Sequence, residues 1–220
     1  MLTIDLIDMG LPKAHHYLLG AVGPRPICFA STVDEKGVPN LAPFSFFNVF
    51  SSNPPIAVFS PSRSGRTGAH KDTFNNVEKI NQVVINLVDY SMVEQMSLAS
   101  SPYDPDVDEF IKSGLTPIES ETVKPFRVKE SPVQLECEVI EVKELGQEGG
   151  SGNLIICKIL RMHVSDHILD DNQMIDQEKI DRLKERFSEE LEDGVISEEE
   201  FKDKIKSHHR KGHYKSKDSK

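Results

Sequence analysis

Tryptophan is absent from this chain of 220 residues, which also holds only three cysteines and four tyrosines. The cysteines, Cys28, Cys137 and Cys157, are widely spaced and form no C-x-x-C pair, so neither a zinc site nor a disulfide framework is expected. Each sits in an apolar, strand-like run and reads as a small buried hydrophobe in a reducing compartment. No apolar run reaches the roughly 20 residues that cross a bilayer. The opening MLTIDLIDMG carries acids where a targeting leader carries bases, so no membrane association and a cytoplasmic location are expected. Positive charge is also short. With 26 Lys and Arg against 36 Asp and Glu, the net charge of −10 repels phosphate backbones, and nucleic acid is not expected as a partner. The G-x-G-x-x-G turn of dinucleotide folds is missing as well: GQEGGSG lies between two strand-like segments and has the wrong spacing.

What the chain does have is a series of short apolar strands in its first three quarters. Residues 26–33 form an apolar run that ends in hydroxyls, and DEKG at 34–37 supplies turn chemistry leading into a second strand at 38–42. Prolines frame IAVFS within 54–61, and QVVINLV at 82–88 is rich in β-branched residues. Over 133–145, Val133, Leu135, Cys137 and Val139 alternate with Gln134, Glu136 and Glu138. The alternation slips at Ile140 and Val142, which predicts a bulge before the glycine-rich turn into 154–164. Short helices are expected around Phe74, Val77 and Ile80, after a Ser91 to Glu94 capping box, and over 108–112 ahead of Gly114. Many short strands with few helices favour a mainly β barrel over a parallel α/β sheet.

Beyond Ile175 the period becomes helical. Ile180, Leu183, Phe187 and Leu191 share one stripe, Gly194 interrupts it, and Ser197 with Glu200 opens a second helix through Phe201 and Ile205. A helical hairpin is therefore expected over 172–207, followed by a disordered basic tail over 208–220 that contains His208, His209 and His213.

The candidate chemistry lies in two places. Between Asn40 and Asn48, polar Asn40, Ser45 and Asn48 alternate with Ala42, Pro43, Phe44 and Phe46, the mixture that a flat aromatic ligand with a polar edge requires. The second place is the Gly-broken basic run SRSGRTGAHKDT. Arg63, Arg66 and Lys71, with Asp72 and Thr73 at a helix start, suit a phosphate, although a mobile solvated loop would carry the same composition. His15, His16 and His70 are isolated, and no triad, paired carboxylates or ligand cluster names a catalytic or metal residue.

PRPI, the following ST and NLAPFSFFN together resemble the flavin reductase-like family, whose split barrel is also seen in flavoredoxins. The resemblance spans His16 to Asp171 and continues in order through KDT, VVINLV, DEF with SGLTP, SPVQLECEV and HILDD. It implies an FMN-binding split β-barrel of Greek-key type over 1–171, with short helices and the helical hairpin appended. It also implies flavin contacts at Ser31 and Thr32, where the first strand ends, and at Ser45 to Asn48, with Pro43 and Phe44 against the ring. Arg25 of PRPI is implied at the flavin edge or a subunit interface, with a salt bridge as the plainer role. A homodimer is implied too, with Phe46, Phe47 and Phe50 in its interface or the core. The activity implied is hydride transfer from NAD(P)H to FMN and on to an acceptor. An electron carrier served by a redox protein, or a flavin-binding sensor, are the alternatives. The hairpin itself resembles the SHOCT-type appendage through its Gly-Val-Ile-Ser turn and Glu-Glu-Glu-Phe. It replaces the Gly-rich aromatic ending common in the flavin reductase-like pattern, for which Gly212 and Tyr214 are faint counterparts.

Overall fold

A computed structural model describes residues 1–104 and 107–180. Helix α1 (Leu11–Ala21) leads into the hairpin of β1 (Cys28–Val33) and β2 (Pro39–Phe44). In its turn, Asp34 Oδ1 accepts hydrogen bonds from the Lys36 and Val38 amides. The hairpin of β3 (Phe47–Ser52) and β4 (Pro55–Phe59) follows, then α2 (Asp72–Ile80), β5 (Gln82–Leu87), α3 (Val93–Ala99) and α4 (Glu109–Ser113). A small ladder of β6 (Pro117–Ile118) with β7 (Arg127–Val128) precedes the long hairpin of β8 (Val133–Glu144) and β9 (Asn153–Val164).

Seven strands pair antiparallel in the order β2-β1-β5-β8-β9-β4-β3. Although β2 and β4 stand far apart in that order, Phe44 packs on Phe59 with ring centroids 5.6 Å apart. The sheet thus curls until its ends meet through side chains while β2 and β3 remain edges, which makes it a split barrel. Ala30, Phe59, Val83, Ile85, Leu135 and Ile155 fill the interior, and Val77 of α2 joins them. A second cluster of Phe29, Leu41, Met92 and Phe110 seats α3 and α4 on the outside of β1 and β2. Each large side chain buried in this way contributes roughly 1.5–3 kcal/mol.

All three cysteines are buried and free. Burial pushes Cys137 up to about 12 and raises Cys28 and Cys157 well above the ordinary thiol range. The slip foreseen in the 133–145 strand is a bulge at Ile140, since Val139 faces Cys157 and Glu141 faces Ile156. Gly114 ends α4 at φ +72°, and Asp108 caps its start by accepting from the amides of Phe110 and Ile111.

Two elements carry no signal in the sequence, and one expectation needs correction. The helix α1 buries no residue and therefore shows no buried apolar stripe. Residues 47–52 form an edge strand beyond the expected second strand. Ser91 is no capping residue: its hydroxyl donates to Asp89, and α3 begins after Met92, whose side chain makes no capping bond.

After β9 the chain buries Ile168, bridges Leu169 to Ile175 and turns helical at 177–180. The rest of the expected hairpin, with its SHOCT-like features, and the 208–220 tail lie outside the described residues. Among the described residues, no helix is long and apolar enough to cross a membrane.

Candidate functional site

Where β2 ends and the chain turns toward β3, two cavities meet at Pro43, Phe44 and Lys71. The larger, about 420 Å³, lies between the 43–46 corner, the loop carrying Arg63 and Arg66, and His15 of α1. The smaller, about 200 Å³, follows the open edge of β2 past Asn40 and Ala42 to Asp72 and Thr73 of α2. Its far wall is formed by Ser100, Tyr103 and Glu109.

The basic loop is shaped by its own hydrogen bonds. Gly68 donates to Ser64 O at 2.8 Å and Ser64 to Ala69 O at 2.9 Å. Arg63 Nη1 donates to Gly68 O at 2.9 Å, while Nη2 pairs with Glu144. The Arg63 guanidinium holds the Glu144 carboxyl below its usual range, with His70 adding to the effect. Arg63 is consequently committed to the loop, and its buried Nε lacks a partner among the described residues. Arg66 and Lys71 are exposed and have no ion-pair partner among the described residues. Lys71 is the N-cap of α2, so its ammonium stands beside amide groups that the helix leaves unpaired. His70 is no freely solvated loop residue. It packs edge-on against Phe74, with centroids 3.7 Å apart, and reaches Glu144 at 3.5 Å.

Of the residues singled out in the sequence, Asn40, Ala42, Pro43, Phe44, Ser45, Phe46, Arg63, Arg66, Lys71, Asp72 and Thr73 line one or both cavities. Ser31 and Thr32 do not. Both are fully buried beneath the site, and Thr32 Oγ1 accepts from Asn40 Nδ2 at 3.2 Å and Asn76 Nδ2 at 3.1 Å. Asn40 Nδ2 also donates to Thr73 Oγ1 at 3.0 Å, so this network fixes the first turn of α2 against β1 and β2. Ser31 Oγ is buried without a partner among the described residues. Asn48 is exposed on β3 and lines neither cavity, its Oδ1 accepting from the amide of Val49. Phe47 packs on the core, whereas Phe50 is 69% exposed. Arg25 forms no salt bridge among the described residues; its Nη1 clamps the carbonyls of Leu19 and Val22.

Among the lining residues without a site role in the sequence are His15 and Glu109. His15 stands at the mouth of the larger cavity, its ring edge-on to Phe46 at 6.3 Å. Glu109 is buried in the wall of the smaller one, where Oε2 accepts from the Leu41 amide at 3.1 Å, an N–H on the open edge of β2. Burial pushes this carboxyl up to about 7 against the restraint of the Leu41 bond, and the neighbouring charges of Asp72 and Asp108 add to the rise. His15 belongs to the helix that was not foreseen, and Glu109 lies 68 residues from its partner, so no local signal marked either.

The model of the flavin reductase like domain matches residues 21–183. A protein of Aquifex aeolicus is 38% identical over 162 residues, covering 74% of this chain and 80% of its own length. Among solved structures, nitrilotriacetate monooxygenase component B from Bacillus cereus is 31% identical with a TM-score of 0.76, over 82% of this chain and 89% of that one. Flavoredoxin of Desulfovibrio vulgaris shares the fold at 21% identity, with a TM-score of 0.61 over 72% of this chain and 80% of that one.

Proposed function

The chain belongs to the flavin reductase-like family, and from that premise we propose that it is a cytoplasmic FMN-dependent oxidoreductase. It draws a hydride from NADH or NADPH and delivers electrons to a small acceptor or a partner protein. The observation that carries this reading is the meeting of an apolar wall, Pro43 and Phe44, with Lys71 at a helix N-terminus. The residues present suit the cofactor. Lys71 and the first amides of α2 would hold its phosphate, assisted by Arg66, while Arg63 keeps the loop in shape. Pro43 and Phe44 would flank the ring, and Asn40, Ser45 and the backbone of 44–46 offer donors and acceptors to its polar parts. One phosphate-sized group of cations without a dinucleotide turn favours FMN over FAD. When bound, FMN supplies hydride acceptance and electron release. The chain's own task is binding, orientation and access; His15 and Phe46 stand at the entrance a nicotinamide would use. Similarity to a monooxygenase component favours a partner enzyme among the acceptors.

Anaerobic stopped-flow mixing of the FMN-loaded protein with NADH and NADPH tests the proposal. Bleaching near ~450 nm that saturates with one nicotinamide is the expected outcome. Bleaching by a reduced protein donor alone would make the chain an electron carrier, and FAD as the only cofactor released would overturn the choice of flavin.

A further inference from the structure

Two carboxyl groups and one cation line the smaller cavity. Lys71 and Asp72 come from the head of α2, Glu109 comes from α4, and among the described residues Tyr103 is the other titratable lining group. β2 adds no titratable side chain to this wall, and α3, whose one titratable residue is Glu94, adds only Ala99. Asp108, next to Glu109 in the chain, brings a further negative charge close. With both lining carboxyls ionised, the wall is net negative where Lys71 and the first amides of α2 would receive a phosphate dianion. In a cavity of about 200 Å³ these charges cannot stand far apart.

Of the two lining carboxyls, Glu109 has the less support for its charge. It is 8% exposed, Oε2 accepts from the Leu41 amide at 3.1 Å, and no other residue among those described donates to it. Asp72 is half-buried in the first turn of α2, where a helix favours negative charge. Burial already pushes the Glu109 carboxyl up to about 7, so a further anion in the same cavity decides its state near neutral pH.

We propose that Glu109 links flavin binding to proton uptake: it takes a proton from solvent as the phosphate settles at Lys71, and each event strengthens the other. The inference rests on the FMN reading of these cavities. Linkage makes the effect reciprocal, since whatever factor the anion adds to proton affinity the proton adds to anion affinity. Protonation does not cost the fold its contact with β2. With the proton on Oε1, Oε2 still accepts from the Leu41 amide, and the new O–H becomes a donor. Flavin affinity therefore falls as pH rises above neutrality, because the anion must then enter beside a carboxylate.

Fluorescence titration of the full chain, freed of flavin, with FMN and with riboflavin tests this between about pH 7 and 8.5, where a phosphate monoester is already a dianion. Wild-type affinity for FMN is expected to fall by up to about tenfold per pH unit, the limit for one linked proton. Glu109→Gln with FMN, and the wild type with riboflavin, should show no such fall. Calorimetry of the wild type at about pH 7.5, in buffers of different ionisation enthalpy, should find net proton uptake with FMN and none with riboflavin. That measurement needs no variant, so it decides the matter if Glu109→Gln fails to fold. Equal uptake with riboflavin would tie the proton to the ring or the ribityl chain, and equal pH slopes in wild type and variant would tie it to another group. Either result overturns the inference and leaves the FMN reading standing, whereas FMN that binds at no pH overturns both.

Discussion

Lys71 and Arg63 are both cations of the basic loop, yet their surroundings give them different tasks. Lys71 is exposed at the head of α2, so Lys71→Ala should weaken FMN by about 1–3 kcal/mol and leave folding intact, as read by fluorescence titration and thermal melting. Arg63→Ala removes the ties to Gly68 and Glu144, so it should lower the melting temperature as well as the affinity. Equal affinity loss with no change in melting for both variants would show that the loop does not need Arg63 for its shape. Glu109 carries a prediction about pH. Its carboxyl is pushed up to about 7 from an ordinary value of 4.5, so the folded state binds the extra proton and stability falls as pH rises across that window. Glu109→Gln should abolish a decline on the order of 1–3 kcal/mol between pH 4.5 and 7 in urea titrations, and an unchanged slope would assign the decline to other groups. The cations were legible in the sequence because a helix start is a local feature. His15 and Glu109 were not, since they reach the cavities through long-range packing.

Elements are held to the site by a few polar contacts whose loss should be measurable. Thr32 accepts from two buried amides, one on β2 and one on α2. Thr32→Val leaves Asn40 and Asn76 each short of a partner and should cost about 1–3 kcal/mol by urea denaturation, with FMN affinity falling as the first turn of α2 loosens. No loss of stability would mean that Thr73 alone suffices for Asn40. The turn between β8 and β9 depends on a backbone that favours glycine. Gly150 has φ +86°, and although a Cβ there would stand 2.6 Å from the tip of Leu11, that side chain is half-exposed and can swing aside. Gly150→Ala should therefore cost about 1–2 kcal/mol by urea denaturation through the strained turn, and an unchanged stability would show that the turn relaxes around the added methyl. The β8 strand and its bulge were readable because a period of two breaks visibly at Ile140. Residues 47–52 gave no such signal: Val49 and Phe50, 53% and 69% exposed, obscure the alternation of an edge strand.

At the scale of the whole molecule, that same exposed edge predicts association. Val49, Phe50 and Phe46 present apolar surface beside the larger cavity, and a homodimer would cover it. Light scattering at low micromolar concentration should then give about twice 24.7 kDa, and Phe50→Glu should give the monomer. A wild-type monomer that binds FMN fully would remove the second copy from the site. The barrel's closure through Phe44 and Phe59 could not be read from residue patterns, because periodicity reveals which face of a strand is buried but not which distant strand it meets. The cysteines buried in that closed wall bear on how long such a protein lasts. Peroxide attacks thiolate, and with Cys137 at about 12 the thiolate share near pH 7 is on the order of one in 10⁵; Cys28 and Cys157 are raised as well. Reduced flavin in air generates peroxide beside the protein that holds it. A barrel whose sulfhydryls stay protonated inside its own wall withstands that by-product, and the first oxidation should fall on the exposed thioethers of Met1, Met162 and Met174, outside the core.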